Sequence, residues 1–551
     1  MKNLNSLFYL FSLICLGLFC SCQQRLETES DTGLTTKIDS IFQKWNNDST
    51  PGVAVAVVKN GEVIFKKGYG MANLEYDIPI QTNTIFHIAS ESKQFTNYCI
   101  ALLAERGKLS LEDDIRKHLP YVPDFGKKIT IKNLIYHTSG LRDQWQLLAI
   151  SGTRIDDVIK QDHIIKLVEN QKRLNFDPGE RHLYCNTGYT LLAEIVEKVS
   201  GNTLREFAEQ EIFKPLDMNN THFHDNYEEI VKNRAYSYNS IDSTSFKKSI
   251  LSYSTVGATS LFTTVEDEAK WLNNLNTGKV GGMEVVNQMH ELGVLNSGDT
   301  LTYAFGLSIE RYKGRKMIGH GGSDAGFRSF VVRFPEEDLG IIVFSNLADI
   351  SAYGKAMEIA DIFLPEEKQE NNAKEYEQSL SKKKIGNYYS DQGLTCELID
   401  STDLFLKFNW GAEQLIPLSE STFSIFNGNG KVKFSSDDHN SFEFYSFDEK
   451  QLLKKYTPID STAIDNEEYV GSFKNDELDS EYKIKSNGDH LILQHKKYED
   501  VKLEPITINQ FTSPHWWMQN IIFDRNEEGK IVGFEINSGR VLHLYFKKTI
   551  K

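Results

Sequence analysis

The spacing of apolar residues changes along the chain and divides it into two unlike halves. Over residues 34–365 helical and strand periods alternate. Val53-Ala54-Val55-Ala56-Val57-Val58 is a β-rich run, followed by Asn60-Gly61 and then Val63-Ile64-Phe65. This predicts a hairpin, because Asn-Gly accepts the positive φ angles of a tight turn. Residues 90–109 place Phe95, Cys99, Leu102 and Leu103 on one stripe, with Gly107 near the end, which predicts a helix. A second helix is predicted over 187–199, closed by Ser200-Gly201. Residues 329–334 and 339–344 flank Pro335-Glu336-Glu337-Asp338 as another hairpin, and 352–364 reads as helical. Hairpins at both ends of this half predict one antiparallel sheet holding a helical insert, an α+β arrangement.

The charged stretch 366–379 reads as a linker. Beyond it the periodicity is that of strands, and it repeats. Gly386-Asn387-Tyr388-Tyr389 is echoed by Gly471-Ser472-Phe473, and Leu404-Phe405-Leu406 by Leu491-Ile492-Leu493. Pro417 with Phe423 is echoed by Pro505 with Phe511, and Val432-Lys433-Phe434 by Ile521-Ile522-Phe523. The constant order predicts a duplication, with one small antiparallel β-barrel over 380–458 and a second over 465–551.

A chain of 551 residues is too long for one ordinary core, in keeping with several domains. The formal net charge of −16, without a long basic run, argues against nucleic acid as a partner. Met1-Lys2 and the apolar residues 7–19 predict a signal peptide over 1–21, too short to span a bilayer comfortably. The residues before Cys22 resemble a loose bacterial lipobox. Processing there would leave Cys22 lipidated on a polar tether, 22–33, and the protein exported to the periplasm or cell surface with its only membrane contact through that anchor. A plain secretory signal cut near Ser21 is the alternative. Of six cysteines, Cys99, Cys185 and Cys396 lie beyond this region, widely spaced. No Cys/His metal spacing and no His-Glu-x-x-His pattern occurs, so neither a metal nor a cofactor is expected.

Three elements of the first half carry chemistry. Ser90-Glu91-Ser92-Lys93 sets a hydroxyl and an amine one helical turn apart on one face. A serine needs a nearby base, a desolvated lysine can serve, and a helix N-terminus favours the charge of an attacking alkoxide. The same spacing at Ser245/Lys248 lacks such a setting. In Tyr184-Cys185-Asn186, which follows the turn Pro178-Gly179, both polar side chains can reach one pocket. The tyrosine can shuttle a proton and the asparagine can orient the lysine; a core tyrosine beside a turn asparagine is the plain alternative. His320-Gly321-Gly322-Ser323 precedes the second hairpin, and its glycines let a substrate backbone approach the strand.

Together these resemble the Ser-x-x-Lys, Tyr-x-Asn and Lys-Thr-Gly-like motifs of β-lactamases and penicillin-binding proteins, in the same order. The supporting stretches His137-Thr138-Ser139-Gly140-Leu141, Gly257-Ala258-Thr259-Ser260-Leu261 and Gly319-His320-Gly321-Gly322 are similar to the class C branch, which includes D-aminopeptidases, D-alanyl-D-alanine carboxypeptidases and esterases. The resemblance covers about residues 35–365. It implies a β-lactamase/transpeptidase-like fold, with Ser90 as nucleophile and Lys93 and Tyr184 as the base system. It further implies Asn186 as positioning group, the Ser90 and Ser323 amides as oxyanion hole, and a small peptide, amide or ester as substrate. The C-terminal pair resembles the lipocalin-like barrels appended to D-aminopeptidase-type relatives. A non-catalytic peptide-binding protein on the same fold is the alternative of a different class.

One departure stands out. The strand motif begins with His320 where the family often has lysine. An ordinary histidine is mostly neutral at pH 7, which predicts weaker selection of carboxylate-bearing substrates such as β-lactams, and better use of them as pH falls through histidine's range. In the second barrel, Trp516 and Trp517 are adjacent. Neighbours on a strand face opposite ways, so at least one lies outside the barrel, and this loop is expected to pack near the Ser90 cleft and limit substrate size.

Overall fold

A computed structural model describes residues 33–365 and 384–549, apart from short loop segments in the barrel region (401–402, 410, 427–429, 436–437, 439, 447 and 460–462). The expected signal peptide, Cys22 with its tether as far as residue 32, and the linker 366–379 lie outside the described residues.

The first half is built on a six-stranded antiparallel sheet. Its strands are β1 (Val53–Lys59), β2 (Glu62–Tyr69), β3 (Ser308–Tyr312), β4 (Arg315–Asp324), β5 (Phe327–Phe334) and β6 (Leu339–Ser345), in the order β3-β4-β5-β6-β1-β2. Val53 pairs with Ser345 and Lys59 with Leu339, so the two ends of this half meet in one sheet. The Asn60-Gly61 turn has φ of 50° and 79°, the left-handed pair that joins β1 to β2 without splaying them. Ala54, Ala56 and Val58 face the helical insert. Val53, Val55 and Val57 face the opposite core, shared with the last helix of this half (Ala352–Phe363). A strand buried on both faces reads as a continuous apolar run, as β1 does.

The predicted 90–109 helix is shorter than expected. It spans Ser92–Glu105 (α1), preceded by a short 3-10 turn, Ala89–Glu91. Ala89 takes φ of 50°, a strained value for a residue with a Cβ, so the chain cannot enter the helix at Ser90. The Ser92 hydroxyl holds this bend, donating to the Ala89 carbonyl at 2.6 Å and accepting from the Leu261 amide at 2.9 Å. Two further helices matter for the site, α2 (Gln144–Ile150) and α3 (Asn186–Ser200).

The duplication holds strand for strand. The second unit is a closed barrel of eight strands from Gly471–Asn475 to Val541–Thr549. The first runs from Gly386–Ser390 to Glu449–Tyr456 with the same neighbours, except that its fourth strand is broken at Leu415 into Gly411–Gln414 and Ile416–Pro417. The two pieces pair with opposite neighbours, so the sheet nearly closes through one bent strand. At the equivalent place the second barrel has a bulge, between Pro505 and Thr507.

Both barrels pack on the first half. Leu147 and Ile150 of α2 lie in the core of the second barrel with Phe473, Tyr482 and Leu493. Removing residues 380–551 would therefore strip a shared core as well as open a cleft. Trp516 is 48% exposed, while Trp517 is half-buried against His515 and Tyr498. The Tyr498 hydroxyl donates to the Ala149 carbonyl at 2.7 Å. Both tryptophans lie in the turn between the strands Gln510–Thr512 and Ile521–Arg525, so strand alternation does not govern them, and the exposure of Trp516 is set by the turn. The loop borders the end of α2, and neither Trp516 nor Trp517 lines the cleft that contains Ser90. Other barrel turns occupy that place.

Candidate active site

A cleft of about 810 Å³ lies between the sheet, the helical insert and both barrels. Ser90, Tyr184, Asn186, His320, Gly321, Gly322 and Ser323 line it together with Asp448 and Glu449 of the first barrel and Arg540 of the second. The structure therefore brings together all eight predicted residues, with Lys93 directly beneath Ser90.

Lys93 is fully buried. Its Nζ lies 3.1 Å from Ser90 Oγ, 2.9 Å from Asn186 Oδ1 and 2.6 Å from the Ala258 carbonyl oxygen. Burial pushes the amine down to about 7; the nearby Asp324 and Asp143 carboxylates act against this and Arg540 acts with it. A neutral amine has two N–H bonds and one lone pair. The two carbonyl-type oxygens can only accept, so they take the N–H bonds and leave the lone pair facing the Ser90 hydroxyl. The orientation of Asn186 is fixed independently. Its Nδ2 donates to Asp143 Oδ2 at 2.8 Å, and its backbone N–H donates to the same oxygen at 2.8 Å. Asp143 Oδ1 in turn caps α2 by accepting from the Trp145 amide at 3.1 Å.

The Tyr184 ring lies 4.9 Å from Lys93 Nζ. Its hydroxyl is buried and makes no full hydrogen bond among the described residues. Burial raises it above the usual tyrosine range, while the Ser90 hydroxyl and the Arg540 charge favour its ionised form. The turn that presents it is pinned by His137, whose Nδ1 accepts from the Cys185 amide at 3.0 Å.

His320 is 9% exposed. Its Nδ1 lies 2.7 Å from the Gly321 carbonyl, which can only accept, so Nδ1 carries the proton. Nε2 is then the acceptor for the Tyr303 hydroxyl at 3.2 Å. Burial, reinforced by Lys93, holds the ring down to about 3. His320 is thus a neutral hydrogen-bonding group across the whole working range. The expected gain in carboxylate binding as pH falls through histidine's ordinary range has no basis in this environment.

The glycines beside it differ. A Cβ on Gly322 would fall 2.1 Å from the Ile88 carbonyl oxygen and 2.3 Å from Ser329 Oγ, whereas one on Gly321 would meet nothing closer than 3.4 Å. Gly322 thus permits β4 to press against the segment that carries Ser90, and Gly321 leaves room in the cleft.

Several functional groups were not predicted. Asp143 could have been noticed as a helix cap two residues after the Gly140-Leu141 stretch. The Ala258 carbonyl explains the Gly257-Ala258-Thr259 stretch, where a Cβ on Gly257 would strike the Tyr189 carbonyl at 2.3 Å. Asp448, Glu449 and Arg540 carry no local signal. Ser245 and Lys248 lie on a separate hairpin, where Lys248 pairs with Glu75 at 2.8 Å. Away from the cleft, His222, His224 and Glu229 bring possible ligand atoms within 4.8 Å of one another, a grouping that the metal-binding spacings of the sequence do not predict. Glu229 is held there by Arg205 at 2.6 and 2.9 Å.

The Beta-lactamase family model matches residues 38–362. A penicillin-binding protein of Bacillus subtilis is 26% identical over 445 residues, covering 75% of this chain and 96% of its own. A D-aminopeptidase of Brucella anthropi is 24% identical over 511 residues, covering 89% and 94%. Among solved structures, the octameric penicillin-binding protein homologue from Pyrococcus abyssi superposes with a TM-score of 0.55 at 26% identity, covering 76% of this chain and all of its own.

Proposed function

The chain belongs to the β-lactamase family, and from that premise we propose that it is a serine hydrolase working through an acyl-enzyme on Ser90, with amides or peptides of D-amino acids, or esters, as substrates. Lys93 takes the Ser90 proton as Oγ attacks the substrate carbonyl carbon. The Ser90 and Ser323 amides receive the oxyanion. Collapse expels the amine or alcohol, which takes a proton relayed through Lys93 and Tyr184, and water then hydrolyses the ester on Ser90 by the same route. The observation that carries this reading is the Lys93 amine, 3.1 Å from Ser90 Oγ with both its N–H bonds committed elsewhere.

Support for the amide specificity comes from the similar D-aminopeptidase. Activity on β-lactams is a secondary reading of the same site. The proposal extends to an exported protein lipid-anchored at Cys22, for which the sequence before Cys22 is the support. The substrate test is hydrolysis of D-alanyl-p-nitroanilide against its L enantiomer and a chromogenic cephalosporin. Faster release from the D-amide is expected; the cephalosporin as the best of the three would overturn the amide reading.

The pH profile follows from Lys93. Its neutral form is the active one, so kcat/KM should rise with pH through about 7 and then level, well below the ordinary lysine value of 10.5. No second limb should come from His320, which is already neutral above about 3. An ascending limb near 10 would show that Lys93 is not the base.

A further inference from the structure

The cleft contains a cation that lies outside the three sequence motifs. Arg540 sits in the turn between the last two strands of the second barrel (Ile531–Ser538 and Val541–Thr549). Hydrogen bonds from the first half fix that turn. The Arg540 amide donates to Gln146 Oε1 at 2.8 Å. The Arg540 carbonyl accepts from the Asp143 amide at 3.3 Å and from Asn175 Nδ2 at 3.0 Å. The Leu542 amide donates to Asn175 Oδ1 at 2.8 Å, and the Arg142 guanidinium donates to the Leu542 and His543 carbonyls at 3.0 and 2.8 Å. The backbone of Arg540 is therefore locked to the same segment, 142–146, that carries Asp143.

Its side chain is free by contrast. The guanidinium lies 4.7 Å from the Tyr184 ring centroid and lines the cleft with Ser90. Among the described residues it makes no hydrogen bond or ion pair. Asp143 and Glu449 act on it through space; Asp143 is turned to Asn186 and Trp145, and Glu449 accepts from the Tyr184 amide through Oε1 at 3.2 Å. The guanidinium N–H donors thus have no protein acceptor among the described residues and are open to a ligand in the cleft. A planar fork of this kind matches a carboxylate bidentately.

We infer that Arg540 is the carboxylate-binding residue of the substrate site, taking the place of the cation absent at His320 and selecting substrates with a free carboxylate near the scissile bond. The inference rests on the serine-hydrolase reading above and deepens it. Carboxylate selection is then retained, contrary to the expectation from His320 alone, and it depends on docking of the second barrel.

The test compares the 3-carboxyphenyl and 3-carbamoylphenyl esters of one N-acyl-D-alanine, two leaving groups alike except for the charge. The full chain is used, with Arg540→Ala and Arg540→Lys, and Ser90 labelling by a fluorophosphonate is followed with N-acetyl-D-alanine or its amide as competitor. The wild type should prefer the carboxylate ester, and N-acetyl-D-alanine should protect Ser90 better than its amide. Arg540→Ala should lower the carboxylate-to-carbamoyl ratio of kcat/KM by about tenfold or more, as expected for loss of a charge-assisted bidentate contact, with Arg540→Lys intermediate. An equal ratio in wild type and Arg540→Ala, with Ser90 still labelled, overturns the role of Arg540 and leaves the hydrolase reading standing. A wild type in which Ser90 takes no label overturns both. The side chain holds no structural hydrogen bond, so an unchanged melting temperature for Arg540→Ala is the accompanying control.

Discussion

Ser90→Ala and Lys93→Ala are each expected to lower kcat/KM on the best amide or ester substrate by on the order of 10⁴-fold, and the double variant should be hardly worse than either alone. Groups that act as one unit fail together: without Ser90 there is no acyl acceptor, and without Lys93 the Ser90 hydroxyl is left with Tyr184, whose own hydroxyl burial keeps protonated. The fold should tolerate Ser90→Ala, since Ser90 lies at the cleft surface. Lys93→Ala leaves the buried acceptors Asn186 Oδ1 and Ala258 O unpaired, so a lower melting temperature should accompany its loss of activity. Ser245→Ala, on the distant hairpin, should change neither. Steady-state kinetics of the four variants with a melting curve for each checks this. Additive losses in the double variant would mean that the two residues do not share one step.

Gly322→Ala is the second large effect. The new Cβ would meet the Ile88 carbonyl at 2.1 Å, and that carbonyl already accepts from Ser329 Oγ at 2.7 Å. It cannot yield without moving Ala89 and Ser90, two residues on. Overpacking of this kind costs about 1–3 kcal/mol, and a displacement of about 1 Å at the nucleophile lowers rate by on the order of 10²-fold. Gly321→Ala meets only ordinary contacts and should fold like the wild type. Wild-type activity in Gly322→Ala would show that close approach at Gly322 does not position Ser90.

Much of the site was legible because its residues stand next to the backbone features they need. Ser90 and Lys93 stand three residues apart where a 3-10 turn runs into α1, Tyr184 and Asn186 flank the extended Cys185 at the start of α3, and the glycines of β4 stand where the sheet meets the nucleophile. The sheet was legible from the runs around Asn60-Gly61 and Pro335, and the barrels from their repeat. The start of α1 was misplaced by two residues because apolar periodicity is blind to the left-handed Ala89. Asp143 and the Ala258 carbonyl escaped because their roles depend on which atom faces Lys93, a tertiary fact. Arg540 escaped for a stronger reason. It lies 450 positions from Ser90 in a repeat whose periodicity specifies only a barrel, and its place in the cleft is fixed by the docking of Gln146 and Asn175. The same docking explains why the Trp516-Trp517 expectation found the right barrel and the wrong turn.

The most direct test of the central claim is the intact mass of the protein after incubation with a fluorophosphonate, followed by peptide mapping, with Ser90→Ala in parallel. Attack by Ser90 Oγ forms one O–P bond and expels fluoride, so a single phosphonyl adduct on the peptide containing Ser90, absent in Ser90→Ala, is the predicted result. An adduct of equal yield in Ser90→Ala, or no adduct on the wild type at pH 8, would contradict the assignment of Ser90 as the nucleophile.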